Sequence, residues 1–412
     1  MSLIKAFPGL RPAAGRAAEI VAPPYDVLSS EEARVRAAGK PWSFLHISKP
    51  EIDLPADTDH YAPQVYAKAA ENLQRLLQAN VLIRDEKSCY YAYRIIMGSH
   101  AQTGLVAAAS VAEYDKNRIR RHELTRPDKE DDRVRQIEAL DAQTGPVLLA
   151  YPKAPAVDEI LAVATRSESV ADAVADDGVR HTVWAIRDET AIAQLTAAFD
   201  AMPALYIADG HHRSAAASRV CAARRAANPK HRGDEPYNYF LSVIFPDHQL
   251  HILDYNRVVT DLNGMSVAQL LERIKVAFDV NMSEAPVKPA HHGQFGLYLG
   301  GRWYALDIKS SLIPDDPVAR LDVSLLTDHL LSPVLGISDL RRDKRIDFVG
   351  GIRGLPELEK RVDSGEMAAA FSLHPTTMKD LMSVADADKI MPPKSTWFEP
   401  KLADGLLSHV LD

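Results

Sequence analysis

The apolar positions of this chain change period repeatedly. Between 61 and 79, Val65, Ala69, Leu73, Leu76 and Leu77 recur three and four residues apart, which predicts a helix with one buried face. Tyr90–Met97 and 105–111 are short runs rich in aromatic and β-branched residues, read as strands joined by a hairpin through 98–104. Helical spacing returns at 128–140, with Val134, Ile137 and Leu140 inward, and again at 157–165 and 189–201. These segments alternate with strand-like runs at 146–151 and 181–187. Two strands, 239–245 and 251–258, follow a polar loop at 224–235, with a turn at 246–248 between them. A second series comes after them: helices at 267–278, 323–331, 356–364 and 376–385, and strands at 296–299, 303–308 and 367–373, with another ending in Gly350-Gly351. Strands alternating with helices predict an α/β or α+β layer architecture, a mixed sheet covered by helices. The composition shifts near 258. The expected division is an α/β catalytic or nucleotide-binding domain over 1–258, a smaller α+β domain over 259–385, and a C-terminal segment, 386–412, folding back on the body.

One stretch stands out from this pattern. Leu205, Tyr206 and Ile207 read as the end of a buried strand, Gly210 permits a sharp turn, and an Ala-rich helix runs from Ser214 through Arg219, Arg224 and Arg225. A strand turning at glycine into a helix aims backbone N–H groups and the positive end of the helix at whatever sits above the turn. Asp209, His211, His212 and Arg213 are packed into the same turn, which suits phosphate chemistry better than a core. Adjacent histidines on a helix point about 100° apart. One is expected to face the site and the other to orient a neighbour, rather than both ligating one metal.

Three further stretches carry chemistry. Pro23 and Pro24 hold the chain extended before Tyr25 and Asp26, and Ser29 or Ser30 followed by Glu31-Glu32 reads as a helix start. That loop is either a binding loop or a packed connector. Residues 113–135 are densely charged with nearly balanced sign, a solvated surface by default. Within them Arg121-His122-Glu123-Leu124-Thr125 follows a strand, where α/β proteins carry active-site loops, and Glu123 flanked by Arg121 and His122 is a candidate general base. Near the C-terminus, Met391-Pro-Pro-Lys-Ser-Thr-Trp-Phe-Glu-Pro-Lys-Leu is stiffened by proline, and Lys394, Ser395 and Thr396 are phosphate-binding residue types. Trp397 and Phe398 are expected to fill an interface.

Composition narrows the classes. With 412 residues, 46% hydrophobic and 25% charged, the chain has the make-up of an ordinary globular protein. Its net charge of −8 argues against general nucleic-acid affinity. Cys89 and Cys221 lie far apart, so neither a zinc ribbon nor a disulfide framework is implied. The N-terminus lacks the apolar run of a signal peptide and no stretch approaches the length of a membrane helix, so a cytoplasmic protein with no membrane contact is expected. No P-loop, Gly-x-Gly-x-x-Gly, His-Glu-x-x-His or nucleophile elbow is present.

Taken together, Val21-Ala-Pro-Pro-Tyr-Asp-Val, Arg121-His-Glu-Leu-Thr, Ile207-Ala-Asp-Gly-His-His-Arg and Met391-Pro-Pro-Lys-Ser-Thr-Trp-Phe resemble the bacterial and archaeal proteins grouped as domain-of-unknown-function family 1015. The Asp-Gly-His-His-Arg turn is similar to the signature of the ParB/sulfiredoxin-like superfamily, which includes nucleotide-dependent free-serine kinases. The resemblance implies a ParB/sulfiredoxin-like core elaborated by the second, smaller unit. It implies phosphates held by Gly210, His211, His212 and Arg213, with Asp209 beside the metal or the transferred phosphoryl. Glu123 matches the family's base by position in a charged loop rather than by motif, and Lys394, Ser395 and Thr396 have no counterpart in the small kinases.

The function expected on these grounds is a small-molecule kinase moving a phosphoryl group from ATP or ADP, with Mg²⁺, to the hydroxyl of free L-serine or a similar metabolite. Glu123, Asp209 and His211 are its expected catalytic residues. Tyr25, Asp26, Arg121 and His122 are the expected substrate contacts. Gly210, His212, Arg213, Lys394, Ser395 and Thr396 are the expected nucleotide contacts, and Asp209 the metal ligand. The alternative is a ParB-like regulator that binds nucleotide without turnover; a homodimer is left open. Sulfiredoxin-like chemistry would want a thiol in the turn, where His211 stands, and Cys221 lies well inside the helix.

Overall fold

The computed structural model describes residues 2–412, which divide into two compact units: residues 2–250 with 400–412, and residues 251–399. Residue 258 lies within a strand of the second unit, and the stretch 386–412 is shared between the units at residue 399.

The first unit is built on a nine-stranded mixed sheet. In chain order its strands are β1 (Ile4–Lys5), β2 (Tyr90–Met97), β3 (His100–Ser110), β4 (Ile119–Arg120), β5 (Val147–Tyr151), β6 (Ala171–Val174), β7 (Arg180–Ile186), β8 (Leu205–Asp209) and β9 (Tyr239–Pro246). They lie side by side in the order β4-β8-β5-β9-β3-β2-β7-β6, with β1 added against β3. The β8–β4 and β9–β5 pairs are parallel and β8–β5 is antiparallel, so the sheet is mixed as expected. The β2–β3 hairpin is tighter than a loop over 98–104: Met97 pairs with His100, and Gly98 takes φ +59° at the two-residue turn. Sequence reading left 100–104 out of the strand because Gln102 is buried inside the sheet while its apolar neighbours are sparse.

Three helices matter for the site. Helix α1 (Pro63–Gln78) buries Val65, Ala69, Leu73 and Leu76, the predicted stripe. Helix α2 (Pro127–Leu140) opens with proline at its first position and buries Ile137 and Leu140, while Val134 is only half-buried and Asp132 and Gln136 take inward places. Helix α3 (His211–Ala227) starts three residues before Ser214, carries Arg219, Arg224 and Arg225 as expected, and so runs a turn into the stretch 224–235 also read as a polar loop. The reason is tertiary: Arg219 pairs with Glu130 and Asp131, and Arg224 with Glu138 and Asp141, so α2 supplies the charges that keep the polar end of α3 helical.

The second unit holds a six-stranded sheet whose strands are Phe278–Ser283, Arg302–Ile308, Gln294–Leu299, Ala369–Leu373, Tyr255–Val259 and Ile346–Gly350, in that spatial order. The single strand expected over 251–258 is two. His251–Leu253 pairs with Trp397–Glu399, while Tyr255–Val259 enters the larger sheet, with Asp254 as the corner between them. The helix expected over 323–331 is α-helical only to Leu326 and widens to a π turn over Thr327–Leu331. No helix is long and apolar enough to cross a membrane among the described residues.

Candidate functional site

The turn after β8 is shaped by its glycine. Gly210 sits at φ +99°, a left-handed conformation that a side chain resists, and a Cβ there would approach Arg213 Nε to 3.1 Å and the Val147 backbone to 3.3 Å. Because the N-cap is glycine, no side chain caps the first turn of α3. Its opening N–H groups have no partner within the helix and face outward with the positive end of a 17-residue dipole. The ladder between β5 and β8 shifts register between Ile207 and Asp209, which turns the Asp209 carboxylate out of the sheet to the mouth of the turn.

Asp209 is the hub. Its Oδ1 accepts the Gly210 N–H at 3.0 Å, and its Oδ2 lies 3.5 Å from Arg213 Nη2 and 4.0 Å from Lys401 Nζ. Partial burial alone would raise its pKa, but Lys401, Arg213 and His211 outweigh it and hold the carboxyl ionised, at about 2. Arg213 is buried: Nη1 donates to the Pro146 carbonyl, and Nη2 also reaches Asp26 Oδ2 at 3.7 Å. Burial opposes its charge, while Asp26 and Asp209 keep the guanidinium protonated above its ordinary range. Asp26 arrives from the loop fixed by Pro23 and Pro24, in a single tight turn over Tyr25–Val27, before Ser29 caps the next helix in a reciprocal box with Glu32.

The two histidines part as their helical spacing requires. His212 Nε2 accepts the Arg126 backbone N–H at 3.1 Å and so tethers the loop preceding α2. His211 is buried, its ring edge-on to His122 at 4.5 Å between centroids, and its Nε2 accepts the His122 N–H at 3.4 Å. The partners therefore assign the proton of neutral His211 to Nδ1, which points at Glu123 Oε2, 3.7 Å away. Burial and the neighbouring His122 push the His211 pKa well below its usual value, and burial takes His122 down to about 4. Both rings are thus uncharged at neutral pH and act as hydrogen-bonding spacers. His122 Nδ1 is buried without a hydrogen-bond partner.

The structure thus gathers Asp26, His122, Glu123, Asp209, Gly210, His211, His212 and Arg213 around one turn. Tyr25 lies a step away, its ring covered at 3.8 Å by the Arg133 guanidinium, which Asp132 holds at 2.6 Å. Arg121 stacks over Tyr114 at 5.2 Å. Lys394, Ser395 and Thr396 belong to the second unit. There the Lys394 carbonyl accepts from Arg257 Nη2, its ammonium lies 5.6 Å from the centre of the Tyr255 ring, and the Ser395 hydroxyl donates to the Pro392 carbonyl. Sequence reasoning passed over Lys401, Asp404 and Arg133. Lys401 stood inside the Pro-Pro-Lys-Ser-Thr-Trp-Phe-Glu-Pro-Lys stretch, whose second lysine was the available signal; Asp404 and Arg133 carried none.

Beside the turn opens a pocket of about 490 Å³, solvent at its mouth included, walled in part by Tyr25, Arg133, Thr144, Gly145, Arg213 and Asp404. Among the described residues no group of three or more His, Cys, Asp or Glu is placed to hold a metal ion, so Asp209 stands among cations rather than among fellow ligands.

The fold and this turn define a mixed α/β protein with a pocket of mixed charged and apolar lining at a strand–glycine–helix junction. The chain belongs to the family described as "Protein of unknown function (DUF1015)", whose model matches residues 4–324. No curated protein matches it. Among solved structures it is similar to a free serine kinase in complex with AMP, at 11% identity and a TM-score of 0.35 over 71% of this chain and 86% of that one. A conserved hypothetical protein from Pyrococcus furiosus matches at 16% identity and a TM-score of 0.35, over 73% of this chain and 94% of the other. C-terminally truncated SbnI from Staphylococcus aureus matches at 11% identity and a TM-score of 0.38, over 73% and 85%.

Proposed function

We propose that the first unit binds a nucleotide by its phosphates at the N-terminus of α3 and transfers a phosphoryl group to the hydroxyl of free L-serine or a similar small metabolite. The observation that carries this reading is the convergence of Arg213 and Lys401 on Asp209 at an uncapped helix start. Backbone N–H groups, a fork-shaped guanidinium and an ammonium are the donors that phosphoryl transfer needs, because its barrier is lowered mainly by positioning and charge stabilisation. Asp209 holds the two cations at the helix start, where an arriving phosphate meets them.

Glu123 is the base in this reading. Its carboxylate accepts the proton of the acceptor hydroxyl as the oxygen bonds to phosphorus and the bond from phosphorus to the nucleotide's leaving oxygen breaks. His211 Nδ1–H, fixed by His122 behind it, orients that carboxylate. A Mg²⁺ ion carried by the nucleotide would neutralise phosphate charge, and Asp209 with Asp26 are the carboxylates at hand; one or two are what such an ion requires. Lys394, Ser395 and Thr396 are left out of this first-unit site, and Lys394→Ala is the separate test of the expectation that they contact phosphate.

The test is a phosphorus NMR time course on the full chain with Mg²⁺, ATP or ADP, and L-serine. Phosphoserine that accumulates with the wild type and is missing with Asp209→Asn is the expected result. Nucleotide that binds by calorimetry yet stays intact with every hydroxyl acceptor sinks the kinase reading and leaves a nucleotide-binding regulator.

A further inference from the structure

The pocket beside the turn contains one buried carboxyl that no ion pair holds. Asp404 is 2% exposed and lies on the pocket wall, yet no Lys or Arg comes within ion-pair distance of its carboxyl among the described residues. The other charges there are matched at home. Arg133 is taken by Asp132 through Nε and Nη2, and Arg213 is shared between Asp26 and Asp209. An unpaired carboxylate costs several kcal/mol to bury, so a chain that places one at a pocket wall leaves it in want of a partner.

The backbone around Asp404 shows that its position is built. Asp404 and Ala22 exchange both backbone hydrogen bonds, at 2.9 and 3.2 Å, which sets the carboxyl next to Tyr25. Gly405 follows at φ +90° with Phe44 so near that a Cβ would come within 2.8 Å of its side chain. Across the pocket, Gly145 leaves space between the two charged groups: a Cβ there would lie 3.4 Å from Arg213 Cδ and 3.7 Å from Asp404 Oδ1. One side of this gap is the Arg213 guanidinium, 3.5 and 3.7 Å from its acids, and the other is a carboxyl outside ion-pair distance of any cation among the described residues.

We infer that this pocket is the acceptor subsite and that Asp404 is the residue that selects an amine, so that the ligand is a small hydroxylated zwitterion with its ammonium at Asp404 and its carboxylate toward Arg213. The inference rests on the kinase reading for the word acceptor, but not for the binding itself. Burial holds the Asp404 pKa at about 7 against the pull of Arg213, so the empty pocket keeps the acid largely neutral below that pH, and an arriving ammonium favours its ionised form. Tyr25 and its Arg133 cover form the wall between the pocket and solvent-exposed Asp26.

The experiment is calorimetric titration of the full chain, without nucleotide, by three probes: L-serine, ethanolamine, which lacks the carboxylate, and glycerate, which lacks the amine. Wild type is expected to bind L-serine at least about tenfold more tightly than glycerate, the cost of leaving one buried charged partner unmatched. In Asp404→Asn that preference is expected to vanish. Gly145→Val, which fills the gap between Arg213 and Asp404 and leaves both side chains in place, is expected to abolish binding of all three while melting as wild type does. Equal affinity for glycerate and L-serine, no binding of any probe, a preference that survives Asp404→Asn, or binding unaffected by Gly145→Val would each overturn the inference. Phosphoryl transfer is read separately: selective binding without transfer defeats the kinase reading and leaves this one standing.

Discussion

At the scale of single residues, the turn is held by groups that cannot be exchanged for near relatives. Arg213 donates to the Pro146 carbonyl while facing Asp26 and Asp209, a set of directions only a planar fork can serve. Arg213→Lys and Asp209→Asn are each expected to abolish phosphoryl transfer while far-ultraviolet circular dichroism stays that of the wild type; normal turnover in either variant removes the turn from the mechanism. Gly210→Ala acts on the backbone instead. It places a Cβ at positive φ against Val147 and Arg213, and should cost about 1–2 kcal/mol in denaturant unfolding of the first unit. The residues needed here were legible because the turn spelled them in sequence. Their division of labour was not, since only packing shows that His212 faces the loop before α2 while His211 faces Glu123.

At the scale of elements, the C-terminal return is the least visible part of the sequence and the most consequential. Residues 409–410 pair with 142–143, Leu10 exchanges backbone hydrogen bonds with Ser408, and Ala403 N–H donates to the Tyr93 hydroxyl, which is also hydrogen-bonded to His181 Nδ1 at 2.8 Å. Tyr93→Phe leaves a buried backbone N–H and a buried ring nitrogen without that partner and is expected to cost about 1–3 kcal/mol, read as a lower melting temperature with the secondary structure retained. The helix of 61–79 and the strands at 90–97 and 239–245 were predictable from periodicity, because each buries one continuous face or run. The split of 251–258 was not, because nothing local marks Asp254 as a corner and only the different partners of the two halves separate them.

At the scale of the whole molecule, the two units should answer pH in opposite directions. In the first unit His122, His181 and His409 are buried and neutral, each lowered by burial to about 4. Between pH 4 and 6.5 the unfolded chain binds protons there that the folded chain refuses, so their contribution, on the order of 3 kcal/mol each, is present above 6.5 and lost as pH falls toward 4. Asp404 opposes them: its raised value means the folded chain holds a proton that the unfolded chain has shed, so it costs stability as pH rises toward 7. Three histidines outweigh one carboxyl, and the first unit should weaken on acidification from 6.5. In the second unit His292 is raised by its hydrogen bond to Asp322, so its contribution is full below 6.5 and lost as pH climbs through the raised value. Calorimetric scans at pH 5 and 7.5 should therefore show the first unit's transition falling at the lower pH. A first-unit transition that rises on acidification would contradict the buried neutral histidines.

The sequence by itself determined what local chemistry can specify: the period of each strand and helix, the glycine that must turn left-handed, and a dense cluster of carboxylate, imidazole and guanidinium beside a helix start. Tertiary structure alone decided what depends on residues far apart in the chain. Lys401 reaches Asp209, Asp404 stands against Ala22 and Tyr25, and Arg133 covers Tyr25, each across a hundred residues or more of intervening chain. No local pattern shows what such residues will meet, because what places them is the pairing of backbone edges and the space left by Gly145 and Gly405, and these exist only once the sheet has closed around them.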